Sequence, residues 1–404
     1  MKFEELKKNR DLMREQVELQ EPEPRIKFGL GRPHIYYQYP ITKLYGDAVE
    51  TATRVAMSCI AAVVNKIGWE KYLAGMEKIQ APWVSKRSAA LRDTVALTGD
   101  SVLDVKLHTL TWSNGCGFTS GAVYDFDENH VMEFENWCPQ IEALNYMGLQ
   151  DEVEELGYWC DCYDGLIMRD VNGKIAYNHA YCIGRGDKFC KQIITPAEDG
   201  KEIIRPDRGK DELSLYEELK LQKAAKREKY DGEAPNFKVS YDKPVNQQDA
   251  SDEELGKHGS ATKWHIATEA IIMGMSLLGT EAFINLAAEK MSYGFEKAAL
   301  ERINEMNLLD DGVKVAATAY AMGNAGTPFD ATFTKYTDDE VVGIAHTCPL
   351  AEAAKEMGLP EDADLSLWCD FYKNFDVHVV NPNLDVTHTH CIGCGDKYCR
   401  FTIK

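Results

Sequence analysis

The 404-residue chain has no apolar run near the roughly 20 residues that a membrane-spanning helix needs; its richest stretch, Ala270 to Leu278, is too short. Residues Met1 to Lys8 lack the apolar centre of a secretory signal. Positive charge is scarce: 45 Lys+Arg against 65 Asp+Glu give a formal net charge of −20. That balance repels phosphate backbones and anionic lipid, so nucleic acid and membrane are poor partners, and no basic DNA-reading motif offsets it. A cytoplasmic location is expected. The rest of the composition, 44% hydrophobic and 27% charged, is ordinary for globular domains. The length suits two or three of them. What stands out is twelve cysteines. Without a secretory signal they point to metal or thiol chemistry before disulfides.

The cysteines fall in a repeat. Residues 179–190 read His-Ala-Tyr-Cys-Ile-Gly-Arg-Gly-Asp-Lys-Phe-Cys, and 388–399 read His-Thr-His-Cys-Ile-Gly-Cys-Gly-Asp-Lys-Tyr-Cys. Eight of the twelve positions are identical, at an offset of 388 − 179 = 209. Upstream, Trp159-Cys160-Asp161 matches Trp368-Cys369-Asp370 and Tyr163 matches Tyr372. Cys138-Pro139, Glu142, Met147-Gly148-Leu149 and Asn114 match Cys348-Pro349, Glu352, Met357-Gly358-Leu359 and Asn324. So ordered a series reads as one fold written twice.

Each copy shows apolar residues at helical spacing first, over Ala48 to Ile79 and Thr262 to Met306. Two alternating segments then flank an acidic turn, Asp127 to His130 or Thr337 to Glu340, and read as hairpins. A Cys-Pro helix start, the Cys-Asp segment and the His…Cys…Cys strands close the copy. Helices followed by antiparallel strands predict an α+β fold, helices packed on an antiparallel sheet in each of two homologous copies, arranged as a pseudo-twofold fused dimer. The expected division is an N-terminal extension (1–40), a first repeat (41–196), a charged linker (197–258) and a second repeat (259–404). The linker holds 28 charged residues in 62, 16 of them acidic and 12 basic, and is expected to be a solvated connector with one exposed helix, Asp211 to Lys229.

Three thiols and an imidazole form a zinc or iron ligand set. Cys160, His179, Cys182 and Cys190 supply one in copy one; Cys369, His388, Cys391 and Cys399 supply the other. A Gly-x-Gly-Asp turn brings the last two cysteines of each set together. The same residues also suit a closed structural staple, or free thiols in a reduced core. Cys138 and Cys348 precede prolines and so stand at helix starts, where the dipole lowers a thiol pKa. They are candidate nucleophiles, with Glu142 and Glu352 as acid/base partners, although a simple helix start explains Cys-Pro too. His390 shares a strand face with His388 if alternation holds. Cys394 adds a Cys-x-x-Cys in copy two, a weak iron–sulfur signal. Cys116, in Asn-Gly-Cys-Gly, has Gly326 as its counterpart.

The order Cys-Pro-x-x-Glu, Gly-Leu, Cys-Asp and closing Gly-Asp-x-x-Cys resembles the L-2-amino-thiazoline-4-carboxylate hydrolase family. Copy two carries it as Cys348 to Glu352, Gly358-Leu359, Cys369-Asp370 and Gly395 to Cys399, and copy one as Cys138 to Glu142, Gly148-Leu149, Cys160-Asp161 and Gly186 to Cys190. The closing segment is also similar to the 4-vinyl reductase domain, a small-molecule-binding α+β fold that holds zinc through Cys and acidic ligands. That similarity matches Cys160, Cys182 and Cys190 to the thiol ligands and puts His179 in an acidic ligand's place. The resemblance implies a hydrolase opening a C–N bond of a small heterocyclic or amidine-like substrate, by metal-bound water or a Cys nucleophile. It implies zinc or iron at one or two sites and a small molecule as partner; a homo-oligomer is compatible with it. The alternatives are a metal-stapled small-molecule sensor or carrier, and a thiol or iron–sulfur redox protein.

Overall fold

The computed structural model describes residues 3, 4, 7, 8, 26–29, 40–95, 101–106, 121–127, 129–153, 155–197, 203–226, 251–308, 310–359 and 363–404. Cys116, Asn114 and most of the expected N-terminal extension lie outside them. The chain divides into two compact units, one made of Met1–Ala62, Tyr146–Leu149 and Lys263–Lys404, the other of Val63–Asn145 and Gln150–Thr262.

The elements run β1 (Ile26–Gly29), α1 (Ile41–Ile67), α2 (Trp69–Gly75) and α3 (Ala81–Val95), with a π turn at Met76–Gln80. Then come β2 (Gly121–Asp127), β3 (His130–Glu135), α4 (Pro139–Met147), α5 (Gly157–Val171), β4 (Ile175–Tyr181) and β5 (Cys190–Pro196). After α6 (Leu215–Lys226) follow α7 (Asp252–Leu278), α8 (Thr280–Glu305) and α9 (Val313–Asn324). The chain closes with β6 (Asp330–Tyr336), β7 (Val341–Ala345), α10 (Pro349–Met357), α11 (Leu365–His378), β8 (Val386–His390) and β9 (Cys399–Ile403). The fold is α+β. Both sheets are antiparallel, one ordered β2-β3-β5-β4 and the other β1-β6-β7-β9-β8. Leaving β1 aside, the strand order is the same in both.

The register repeats as well. Both hairpins slip by one residue in their first strand, at Val123/Asp125 and at Phe333/Lys335. Both histidine strands slip after the imidazole, at His179/Tyr181 and at His388/His390. Such a bulge breaks the two-residue alternation of a strand. His388 therefore stands opposite Phe401 and His390 opposite Arg400, two neighbours that face opposite sides of β9. The expectation that the two histidines share a face is corrected accordingly: His390 stacks on Tyr398, with ring centroids 5.6 Å apart, and His388 packs beside Phe401.

A second correction concerns the charged linker. Its described helix is Leu215–Lys226, starting later than the expected Asp211, and residues 227–229 lie outside the described ones. Among the described residues the segment before and within it is anchored: Ile204, Leu215 and Leu219 are buried, and Tyr216 packs edge-on against Tyr158 at 5.0 Å. Glu77 accepts from the Arg205 backbone N–H (2.8 Å) and the Arg208 guanidinium (3.2 Å). Three well-spaced apolar residues suffice to dock a segment whose average composition is that of solvated chain.

In the unit containing copy two the core lies between α11 and the sheet. Phe283 stacks on Trp368, and Phe401 crosses β7 where Gly343 leaves room. A Cβ at Gly343 would lie 2.0 Å from the Phe401 ring. Gly343→Ala should therefore displace Phe401 and cost about 1–3 kcal/mol, read as an earlier urea midpoint. An unchanged midpoint would show that the ring has somewhere else to go.

Candidate functional site

The thiol sites are built by one repeated turn. After β4 and β8 the chain makes a short 3-10 turn, Ile183–Arg185 or Ile392–Cys394, that ends on a left-handed glycine: Gly186 at φ +86° or Gly395 at φ +96°. A residue with a Cβ is strained in that conformation. The next residue clamps the turn. Asp187 accepts the Cys182 N–H at 2.8 Å, and Asp396 accepts the Cys391 N–H at 2.7 Å. The thiols of Cys190 and Cys399 return over the turn, accepting the Ile183 and Ile392 N–H groups at 3.4 and 3.3 Å.

In copy one, His179, Cys182 and Cys190 are all buried, and their ligand atoms lie within 4.8 Å of one another. The thiols of Cys160 and Cys190 hydrogen-bond to Cys182, holding it well below the ordinary thiol range while they themselves are pushed up. Burial works against a charged His179, but Cys182 and Asp161 overcome it and raise the imidazole to about 10. Neither ring nitrogen has a hydrogen bond of good geometry; Asp161 Oδ1 stands 3.4 Å from Nδ1. A buried imidazole beside three cysteines, of which only Cys182 is lowered, and without a hydrogen bond of good geometry is a donor arrangement that a zinc or iron ion would complete. Arg185, almost fully buried, donates to the His179 carbonyl and lies 3.7 Å from Asp161.

Copy two keeps the same turn but differs in the side chains around it. Cys394 takes the place of Arg185, and Cys391, hydrogen-bonded by Cys394 and Cys399, is lowered to about 3. Cys399 also bonds Cys348, so the thiols form a chain 348–399–391–394. His388 is held by Asp370, whose Oδ1 takes both its backbone N–H (2.6 Å) and Nδ1 (2.7 Å). Among the described residues only the copy-one trio gathers three ligand atoms within 4.8 Å. Cys369 and His388 instead line a cavity of about 40 Å³ together with Cys348, Cys399, Lys373 and Asn324. Its walls are aromatic, including Trp264, Tyr320 and Phe329.

The candidate nucleophiles sit where the sequence put them. Cys348 caps α10 in an extended conformation with Pro349 at the first helical position. Cys138 stands likewise before α4, but burial outweighs the helix end and pushes its thiol up to about 12. Cys138 Sγ donates to Gln140 at 3.3 Å. Glu142 and Glu352 are exposed, and no hydrogen bond joins either carboxylate to its cysteine among the described residues.

Two buried features escaped the sequence. In copy one, Lys106 pairs with Glu133 and donates to Gln192 at 3.2 Å, and burial raises the nearby Glu135 to about 8. In copy two the register partners of Glu133 and Gln192 are Gly343 and Phe401. Among the buried charged residues there is Lys373, which donates to Asn324 Oδ1 and lies over the rings of Tyr372, Tyr320 and Phe329 at 4.7, 5.5 and 5.6 Å. Burial lowers it to about 8, even though Asp376 and Cys369 pull the other way.

A family model, L-2-amino-thiazoline-4-carboxylic acid hydrolase, matches residues 265–403, the stretch holding copy two's cavity and thiols. No curated protein and no solved structure matches the chain. No helix among the described residues is long and apolar enough to cross a membrane.

Lys373 yields a pH signature. Its folded pKa of about 8 lies below the ordinary 10.5, so between those values the unfolded chain binds the proton that the folded chain has lost. Its contribution to stability therefore rises with pH across that window. Wild type should gain on Lys373→Met from pH 8 to 10.5 in parallel denaturation series; parallel curves would contradict the shift.

Proposed function

We propose that the chain is a hydrolase that opens a C–N bond of a small heterocyclic or amidine-like substrate, and that copy two houses the reaction. The observation that carries this reading is the coincidence of the family match over residues 265–403 with an enclosed aromatic cavity bordered by thiols and an imidazole. We read the matching strand order and registers as a tandem duplication whose copies have diverged. In copy one the Cys160, His179, Cys182 and Cys190 donors suit a zinc or iron ion that staples the turn to the sheet. In copy two Cys369, His388, Cys391 and Cys399 stand at the corresponding positions but do not gather into one such cluster.

A metal held by the copy-one donors would supply Lewis acidity at that site. The residues of the chain do the remainder. The aromatic walls exclude bulk water and hold a planar ring. Asp370 Oδ1 accepts a hydrogen bond from His388 Nδ1 and so orients the imidazole that borders the cavity. Cys348, which lines the cavity, offers a covalent route: its sulfur adds to the ring carbon, the C–N bond breaks, and water releases the product. The thiol chain through Cys394 supports a second reading, a thiol redox protein.

The deciding assay follows release of the ring nitrogen as a free amine from 2-amino-thiazoline-4-carboxylate and related cyclic amidines, with elemental analysis of anaerobically purified protein alongside. Turnover is expected, with about one metal ion retained per occupied site. On the covalent route Cys348→Ala loses at least about 100-fold in kcat while Cys138→Ala keeps most activity. Absence of turnover across the panel would remove the hydrolase reading, and reversible two-electron oxidation without turnover would favour the redox one.

A further inference from the structure

We infer that Asn374 is a positioning residue: by taking both backbone groups of Val386 it holds β8 against α11 at the spacing that lets Asp370 orient the His388 imidazole. The inference rests on the proposed function only for what the imidazole then does; the positioning itself is argued from hydrogen bonds.

β8 is the outermost strand of its sheet, in the order β1-β6-β7-β9-β8. An edge strand pairs on one side only, so every second residue turns its N–H and C=O groups away from the ladder. Val386 is 1% exposed, and buried backbone groups need partners. Side chains of α11 supply them. Asn374 Oδ1 accepts the Val386 N–H at 2.8 Å, and Asn374 Nδ2 donates to the Val386 carbonyl at 3.2 Å and to the Asp370 carbonyl at 2.7 Å. The amide thus pairs with Val386 as a neighbouring strand would. One helical turn earlier, Asp370 Oδ1 accepts the His388 N–H at 2.6 Å and lies 2.7 Å from Nδ1 of the ring. Residues 370 and 374 share a face of α11, and residues 386 and 388 share an edge of β8, so the two contacts are successive rungs. The Asp370 rung sets the ring, and the Asn374 rung sets the spacing at which it forms.

Copy one shows the same elements without the amide. The position matching Asn374 is Gly165, 374 − 209, which has no side chain to reach the strand. Asp161, at the position matching Asp370, stands 3.4 Å from His179 Nδ1, against 2.7 Å in copy two. Neither nitrogen of the His179 ring has a hydrogen bond of good geometry. A cavity of about 60 Å³ is bordered by Asp161, Gly165, Tyr177 and His179, where α5 faces β4. The linker takes part of the space: a Cβ at Gly165 would lie 2.8 Å from Ile204 Cδ1. The closely held imidazole goes with the amide between helix and strand, and the loosely held one with its absence.

Proton NMR of the full chain tests this, because an imidazole N–H bonded to a buried carboxylate exchanges slowly and resonates far downfield. Wild type should show such a resonance, lost in His388→Gln. Asn374→Ala should lose it too. Met291→Ala, a buried truncation in α8 that serves as the control for lost stability, should keep it. Where a cyclic amidine is turned over, Asn374→Ala should lower kcat about tenfold or more with KM unchanged. Absence of the resonance in wild type, its survival in Asn374→Ala or its equal loss in Met291→Ala would overturn the inference. Wild type decides the matter if Asn374→Ala fails to fold. Its Val386 and His388 amides should exchange with deuterium at matching rates, at least about tenfold slower than exposed amides. A fast Val386 amide beside a protected His388 amide would overturn the inference equally. Loss of the resonance in Asn374→Ala, with no turnover of any cyclic amidine by wild type, would leave the positioning standing and remove the hydrolase reading.

Discussion

The constraint on which both sites depend is the aspartate-clamped glycine turn between the histidine strand and the last strand. A carboxylate accepting a backbone N–H, at 2.8 Å in copy one and 2.7 Å in copy two, holds the turn shut. The left-handed glycine beside it supplies a conformation that costs other residues strain. With the turn closed, the second and third cysteines of each set must face each other, whatever the rest of the domain contains. Gathering thiols in a low-dielectric interior then makes one of them a thiolate stabilised by its neighbours, and that is the electrostatic character both sites share.

Around this common element the two segments differ in what surrounds the thiols. Copy one surrounds its thiols with buried charge: Lys106 with Glu133, Glu135, Arg185 and Asp161. Such an ensemble is stable only when every group keeps its partner, which disfavours rearrangement. Copy two replaces the same registers with Gly343 and Phe401 and keeps one buried cation in an aromatic enclosure. In copy one the atoms still short of a good hydrogen bond include both His179 ring nitrogens. The difference in chemistry between two matching scaffolds therefore lies in a handful of interior side chains.

The sequence made much of this legible because the repeat is written in residue types with narrow uses. Cysteine, glycine and aspartate at fixed spacings in two places marked the turn, and the Cys-Pro pairs marked the starts of α4 and α10. Alternation around acidic turns marked both hairpins. Period-based reading failed where one residue is inserted: the bulge after His388 put His390 on the other face, and nothing local announces a bulge. Average composition failed in the linker, where Ile204, Leu215 and Leu219 dock a charged segment. Lys373 and Lys106 passed unnoticed, since a lysine is ordinarily a surface residue.

The sequence by itself determined the α+β order and the recurring glycine–aspartate turn, because these follow from local spacing and backbone preference. Only the tertiary structure decided which thiols touch, which histidine face is used and which lysine is buried. Those outcomes depend on strand register and on what packs across the sheet, and residues far apart in the chain settle both.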